Sequence, residues 1–175
     1  MATETERRFL VKNKNFINES QFQKYRITQG YLSDDPERIV RVRLQTGKAT
    51  ITIKGLKNEG SGLEFEYYIP LTDAYLLIPL CKSVIDKTRY YVNIDNVSPT
   101  WHSGVIRSID KWEIDVFHGD NDGLIIAELE FATEDTTIHT IPDWIGEEIT
   151  DDIRYANSNL AQYPYSTWKH LFFNV

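Results

Sequence analysis

The sequence predicts a predominantly antiparallel α+β fold: about eight strands in a meander or closed barrel, with a few helices packed outside. Three observations predict it. Period-2 alternation of β-branched and aromatic residues recurs in eight segments, turn-forming clusters separate them, and no Pro/Ser/Gly-rich linker or internal repeat interrupts the 175 residues. That length matches one domain over 1–175, against a typical domain of about 150 residues.

Strands are expected at 4–11, 26–33, 37–46, 48–55, 62–70, 85–94, 105–117 and 124–132. The intervening Ser33-Asp34-Asp35-Pro36, Thr46-Gly47-Lys48, Asn58-Glu59-Gly60-Ser61-Gly62 and Gly119-Asp120-Asn121-Asp122-Gly123 suit tight antiparallel connections. Helical periodicity is readable at 20–25, at 73–83 through Ala74, Leu76, Leu77, Leu80 and Cys81, and at 153–162 behind the capping residues Thr150 and Asp151. The aromatic stretch 165–173 reads as a closing cap.

Composition excludes several function classes. Hydrophobic residues at 41% and charged residues at 26% are globular values, which exclude a disordered or fibrous chain. No apolar run approaches the roughly 18 residues of a membrane helix, and the opening residues lack a signal-peptide layout, so a cytoplasmic protein is expected with no membrane partner. The single Cys81 can form neither an internal disulfide nor a cysteine-based zinc site. With 19 basic against 26 acidic residues, a net charge of −7 and a pI near 5.1, no nucleic-acid partner is expected, because phosphate contacts need a basic face. Any phosphate site must be local.

Residues two apart in a strand share a face, and the two faces separate cleanly. Glu4, Glu6 and Arg8 oppose Phe9 and Val11. Arg41 and Arg43 oppose Val40, Val42 and Leu44, while Thr52 and Lys54 oppose Ile51 and Ile53. Glu64 and Glu66 oppose Leu63, Phe65 and Tyr67; Lys87 and Arg89 oppose Tyr90 and Val92. Glu113 and Asp115 oppose Trp112, Ile114 and Val116, and Glu128 and Glu130 oppose Ala127, Leu129 and Phe131. For any single strand an antiparallel sheet with this charged face in solvent is the alternative; across the strands, however, like-charged pairs recur where a solvated face normally mixes polar types. Two carboxylates about 7 Å apart at an effective dielectric near 20 repel by roughly 2 kcal/mol. Gathered inside a barrel, these faces hold eight carboxylates and six cations, a net charge of −2. Clustered carboxylates suit Mg²⁺ or Mn²⁺, and the arginines and lysines suit phosphate oxygens. Both together describe a metal-dependent polyphosphate site.

The ordered series Glu4-Thr5-Glu6-Arg7-Arg8-Phe9, Gln29-Gly30-Tyr31-Leu32, Arg41-Val42-Arg43, Thr52-Ile53-Lys54-Gly55, Glu64-Phe65-Glu66 and Lys87-Thr88-Arg89-Tyr90 resembles the CYTH proteins, or triphosphate tunnel metalloenzymes. So do Trp112-Glu113-Ile114-Asp115, Ala127-Glu128-Leu129-Glu130-Phe131 and the run from Ile149 to Asn157. Position 8 departs from the pattern, with Arg where the family has Lys. The resemblance implies an eight-stranded antiparallel tunnel with helices outside, and hydrolysis of a triphosphate, foremost inorganic tripolyphosphate to pyrophosphate and phosphate, with Mg²⁺ or Mn²⁺. It implies that Glu4, Glu6 and Glu130 hold metal, with Glu113, Asp115 and Glu128 nearby for a second metal or its waters. Arg8, Arg41, Arg43, Lys54 and Arg89 are implied to bind substrate, Lys87 to move a proton with help from Tyr31, and Glu64 and Glu66 to face the lumen. The partner is a small polyphosphate or nucleoside triphosphate. Adenylate cyclisation, nucleoside or thiamine triphosphate hydrolysis, and non-catalytic polyphosphate binding stay open.

Other tempting residues carry less. His102, His118, His139 and His170 lack ligand-like spacing. Gly60-Ser61-Gly62 lacks the Lys-Ser/Thr of a P-loop, and Asp120-Asn121-Asp122-Gly123 lacks the later acidic ligand of a calcium loop. A lipocalin-like carrier would point apolar residues inward, which the charged set opposes.

Overall fold

The computed structural model describes residues 5–14, 23–35, 37–58, 61–93, 111–131 and 142–172. Its strands are β1 (Thr5–Val11), β2 (Gln23–Ser33), β3 (Arg38–Gln45), β4 (Lys48–Asn58), β5 (Ser61–Tyr68), β6 (Ser83–Asn93), β7 (Lys111–Phe117), β8 (Ile125–Phe131) and β9 (Ile145–Glu148). The α-helices are α1 (Leu71–Leu77) and α2 (Asn157–Gln162), with short 3-10 turns beside them. Strands hydrogen-bond in the order β5-β4-β3-β2-β6-β7-β8-β1-β9.

The sheet is therefore antiparallel as expected, but open. β9, which the sequence pattern did not reveal, pairs with β1 through Phe9↔Glu148 and Val11↔Ile145 and so takes the edge of β1 that β8 leaves unoccupied. No ladder joins β5 to β9 among the described residues, and the predicted closed barrel is corrected accordingly. Residues 23–25 of the predicted 20–25 helix open β2, and 20–22 lie outside the described residues. The helix expected at 73–83 ends early: α1 passes into a 3-10 turn at Ile78–Leu80, where Pro79 removes a backbone donor, and β6 begins at Ser83. Thr150 does not cap a helix. Its hydroxyl accepts the Arg8 backbone N–H at 3.1 Å and donates to Glu148 at 2.8 Å.

The described residues form two compact units. In the first, which holds β1, the C-terminal part of β6, most of β7, then β8 and β9, one sheet face is apolar. Phe9, Trp112, Ile114, Ala127, Leu129 and Ile145 are all 3% exposed or less. Trp112 stands edge-on to Phe9 and Trp144, with ring centroids 5.8 and 5.6 Å apart, a favoured aromatic geometry. Burying each large side chain contributes about 1.5–3 kcal/mol. Across the outer ladder, Arg7 forks onto Glu148, with Nε to Oε1 at 2.8 Å and Nη2 to Oε2 at 2.5 Å.

The second unit holds β3, β4, β5, most of β2 and the N-terminal part of β6. β3 turns into β4 over Thr46-Gly47, where Gly47 has φ 75°, a value that favours glycine. The apolar residues Val42, Leu44, Ala49 and Ile51 pack under α1 through Ala74 and Leu77, because period 2 in the strands and helical spacing in α1 present matching stripes. Asn121, buried in the turn before β8, donates to the Leu160 carbonyl at 3.1 Å and accepts the Tyr165 N–H at 2.8 Å, fastening the C-terminal segment. The Gly119–Gly123 loop is thus a structural turn, as its sequence implied.

Gly30 is fixed by crowding: a Cβ there would stand 2.5 Å from Cys81 Sγ and 2.8 Å from its Cβ. Gly30→Ala should cost about 1–3 kcal/mol in urea unfolding, and adding Cys81→Ala should recover only part of it. The Arg7 hydrogen bonds hold the Glu148 carboxyl below its ordinary value of 4.5. Its pairing then contributes stability above that value and loses it as pH falls through the folded-state value. Glu148→Gln should flatten this acid limb of the stability curve, and an unchanged limb would show the pair to be energetically silent.

Candidate functional site

The first unit concentrates acid. On the face opposite its apolar core, β1 and β8 place Glu6 across from Glu130 and Arg8 across from Glu128, while β7 and β8 place Glu113 across from Glu128. Like charges directly opposite are destabilising in a ladder, so each pair needs a counter-charge. Arg89 supplies one. Its Nε and Nη2 fork onto the two oxygens of Asp115 at 2.7 and 2.6 Å, Nη2 also reaches Glu128 Oε2 at 2.6 Å, and Nη1 donates to Glu113. Asp115 is 0% exposed, Arg89 8% and Glu128 9%. Burial pulls the guanidinium pKa down, but the Asp115 and Glu128 charges, the Asp115 hydrogen bonds and Glu113 outweigh it and raise the value.

Arg8 sits on the same face. Its Nη2 donates to the Thr150 carbonyl at 2.6 Å, and its Nε, 3.7 Å from Glu6 Oε1, is buried with no hydrogen-bond acceptor. A buried guanidinium N–H is costly to leave unpaired, so this donor suits an incoming anionic oxygen.

The second unit concentrates cations. Arg43, Arg41 and Ile39 of β3 lie across from Thr50, Thr52 and Lys54 of β4, and Thr52 and Lys54 lie across from Glu66 and Glu64 of β5. Arg41 Nη2 donates to Thr52 Oγ1 at 2.9 Å and to Glu66 at 3.3 Å, and Lys54 pairs with Glu64 at 2.8 Å. Arg41 Nε is a second buried donor with no acceptor. Arg43 Nε donates to Gln29 Oε1 at 3.0 Å, and Gln29 Nε2 donates to the Tyr31 hydroxyl at 2.6 Å. Lys87 is 0% exposed and donates to Asn157 Oδ1 at 3.1 Å.

The sequence-predicted residues thus sort by unit. Glu6, Arg8, Arg89, Glu113, Asp115, Glu128 and Glu130 share one face of the first, and Tyr31, Arg41, Arg43, Lys54, Glu64 and Glu66 share one face of the second, where Lys87 is also found. Glu4 lies outside the described residues. Two groups of these residues pair with one another. Arg89 is bound by Glu113, Asp115 and Glu128, the three carboxylates expected near a second metal or its waters, and Asp115 presents both oxygens to it. Glu64 and Glu66 serve as counter-ions to Lys54 and Arg41. Gln29, Thr52, Thr150 and Asn157 were given no role at the site from sequence. Thr52 already falls on the charged face by period 2, and Gln29 could have been found by extending that count through the polar uncharged positions of β2.

No helix among the described residues is long and apolar enough to cross a membrane. Among the described residues no three His, Cys, Asp or Glu side chains already close on a point as a metal cage. The donor chemistry nevertheless fits a hard divalent ion: the grouped carboxylates offer only oxygen, and three of them around one guanidinium leave a local surplus of two negative charges.

The first unit thus carries buried carboxylates, and each unit carries one buried guanidinium N–H without a hydrogen-bond acceptor, on Arg8 and on Arg41. Residues 2–162 match the CYTH domain, and the chain belongs to that family. It is 38% identical over 171 residues to an inorganic triphosphatase of Acetivibrio thermocellus, spanning 97% of this chain and 99% of that one. It is also 35% identical to an inorganic triphosphatase of Nitrosomonas europaea, over 91% of this chain and 97% of that one. The crystal structure of the inorganic triphosphatase NE1496 superposes with a TM-score of 0.63 at 31% identity, covering 92% of this chain and 95% of that one.

Arg89→Met leaves Asp115 and Glu128 buried without their counter-charge. A loss of about 3–5 kcal/mol is expected in urea unfolding at neutral pH, shrinking on acidification as the carboxylates protonate. A loss under about 1 kcal/mol at neutral pH would show that solvent screens the cluster.

Proposed function

We propose that this protein hydrolyses inorganic tripolyphosphate to pyrophosphate and phosphate with Mg²⁺ or Mn²⁺. The observation that carries the reading is a buried donor without an acceptor in each unit, Arg8 Nε in the first and Arg41 Nε in the second. Each such N–H, on a protein of net charge −7, suits an anionic oxygen. The two relatives named inorganic triphosphatase supply the substrate class.

Glu6 and Glu130, with Glu4, would hold the metal, Glu113 and Glu128 would lie near it, and Asp115 would act chiefly through Arg89. The metal, when bound, would supply Lewis-acid neutralisation of phosphate charge. Arg8, Arg41, Arg43 and Lys54 would take phosphate oxygens, and those contacts strengthen as negative charge moves toward the leaving group. A water oxygen forms the new bond to a terminal phosphorus, the bridging P–O bond breaks, and pyrophosphate leaves. Lys87 Nζ would hold or move the proton that accompanies this exchange, with the Tyr31 hydroxyl assisting. Because Gln29 receives an N–H from Arg43 on its oxygen, its amide nitrogen faces Tyr31, and the tyrosine oxygen accepts there.

Phosphate, pyrophosphate and cyclic AMP release should be measured side by side with tripolyphosphate and ATP. Phosphate and pyrophosphate in equal amounts from tripolyphosphate, abolished by EDTA, is the expected result; cyclic AMP from ATP as the main product would overturn it. Glu6→Gln should lose metal-dependent turnover with the fold retained, and unchanged activity would remove Glu6 from the metal set. Arg43→Ala should raise KM and lower kcat together, and no change in either would remove Arg43 from substrate binding.

A further inference from the structure

We propose that Asn157 is the positioning residue for Lys87, an inference that rests on the proton-transfer role given to Lys87 above. Lys87 is wholly buried, its ammonium donates to Asn157 Oδ1 at 3.1 Å, and it lies 5.5 Å from the centre of the Phe117 ring. An ammonium on a flexible four-carbon stem has no direction of its own; its acceptors set it. Asn157 is suited to that task in two ways. Its carbonyl is neutral, so this contact orients the ammonium without itself adding an opposite charge. It is also rigidly presented. It opens α2, whose Leu160 is 0% exposed, and the segment is fastened by Asn121 to the Leu160 carbonyl and the Tyr165 N–H, and by Asn159 Nδ2 to the Ile153 carbonyl at 2.7 Å. A turn between β7 and β8 thereby fixes an amide that fixes a lysine.

The test is steady-state and single-turnover hydrolysis of tripolyphosphate with Mg²⁺ by Asn157→Leu, Lys87→Met and the double variant. Asn157→Leu should lower kcat about 10-fold or more with KM within about two-fold, since only the chemical step is disturbed. In the Lys87→Met background it should add less than about a two-fold loss, because an amide acting through the lysine has nothing left to act on. A thermal midpoint close to the parent's certifies the fold, and Asn157→Ser, smaller and without the carbonyl, replaces the leucine variant if that midpoint falls. Losses that multiply in the double variant, or a parent-like kcat in Asn157→Leu while Lys87→Met is crippled, would overturn the positioning role alone. A parent-like kcat in Lys87→Met would overturn the role given to Lys87 and this inference with it.

Discussion

The contact on which the acidic face depends is the Arg89 guanidinium with Asp115, Glu113 and Glu128. Strand pairing sets Glu113 directly opposite Glu128, and at about 5 Å with an effective dielectric near 20 that juxtaposition costs about 3 kcal/mol. Taking each ion out of water costs several kcal/mol more. One planar cation with five donors can answer three carboxylates at once, which an ammonium with three donors on a flexible stem does less well. The three carboxylates outnumber this one cation by two, and Arg8, directly across from Glu128, adds a second positive charge on the same face.

The two units solve the problem of a charged sheet face differently. In the first, acids outnumber bases and a buried arginine holds them. In the second, bases outnumber acids, and Glu64 and Glu66, half exposed at the edge strand, balance Lys54 and Arg41 at lower cost, because solvent screens them. Both rely on the same pleat. In β1, β7, β8 and β3 an apolar residue at every second position secures the strand to a core, and the intervening positions are then available for ionisable groups; on the edge strand β5 the alternating Leu63, Phe65 and Tyr67 stay about half exposed.

This explains what was legible in the sequence. Period 2 assigns residues to faces without knowledge of partners, so the sorting of Glu6, Arg8, Arg41, Arg43, Glu113, Glu128 and Glu130 to one face of their strands could be read directly. Which group meets which could not. Arg89, a cation on a face of carboxylates, serves equally well as a phosphate ligand or a counter-ion by alternation alone, and its contacts to Asp115, Glu113 and Glu128 appear only in the folded sheet. β9 escaped because Ile145-Gly146-Glu147-Glu148 is too short to alternate visibly. The Lys87–Asn157 bond escaped because 70 residues separate its ends.

Arg8 brings these threads together at the position where the family pattern has lysine. An ammonium there would have to divide its three donors between the protein and an anion around a single nitrogen. The guanidinium separates the tasks in space. Its Nη2 is held by the Thr150 carbonyl at 2.6 Å, on the segment that β9 zips to β1, while Nε is turned into a buried site without an acceptor. The anchoring fixes the fork, and a fixed fork presents its remaining donors with little entropy left to lose. An element the sequence did not announce, β9 with Thr150 after it, thus anchors the arginine at position 8 and leaves its Nε without a hydrogen-bond acceptor.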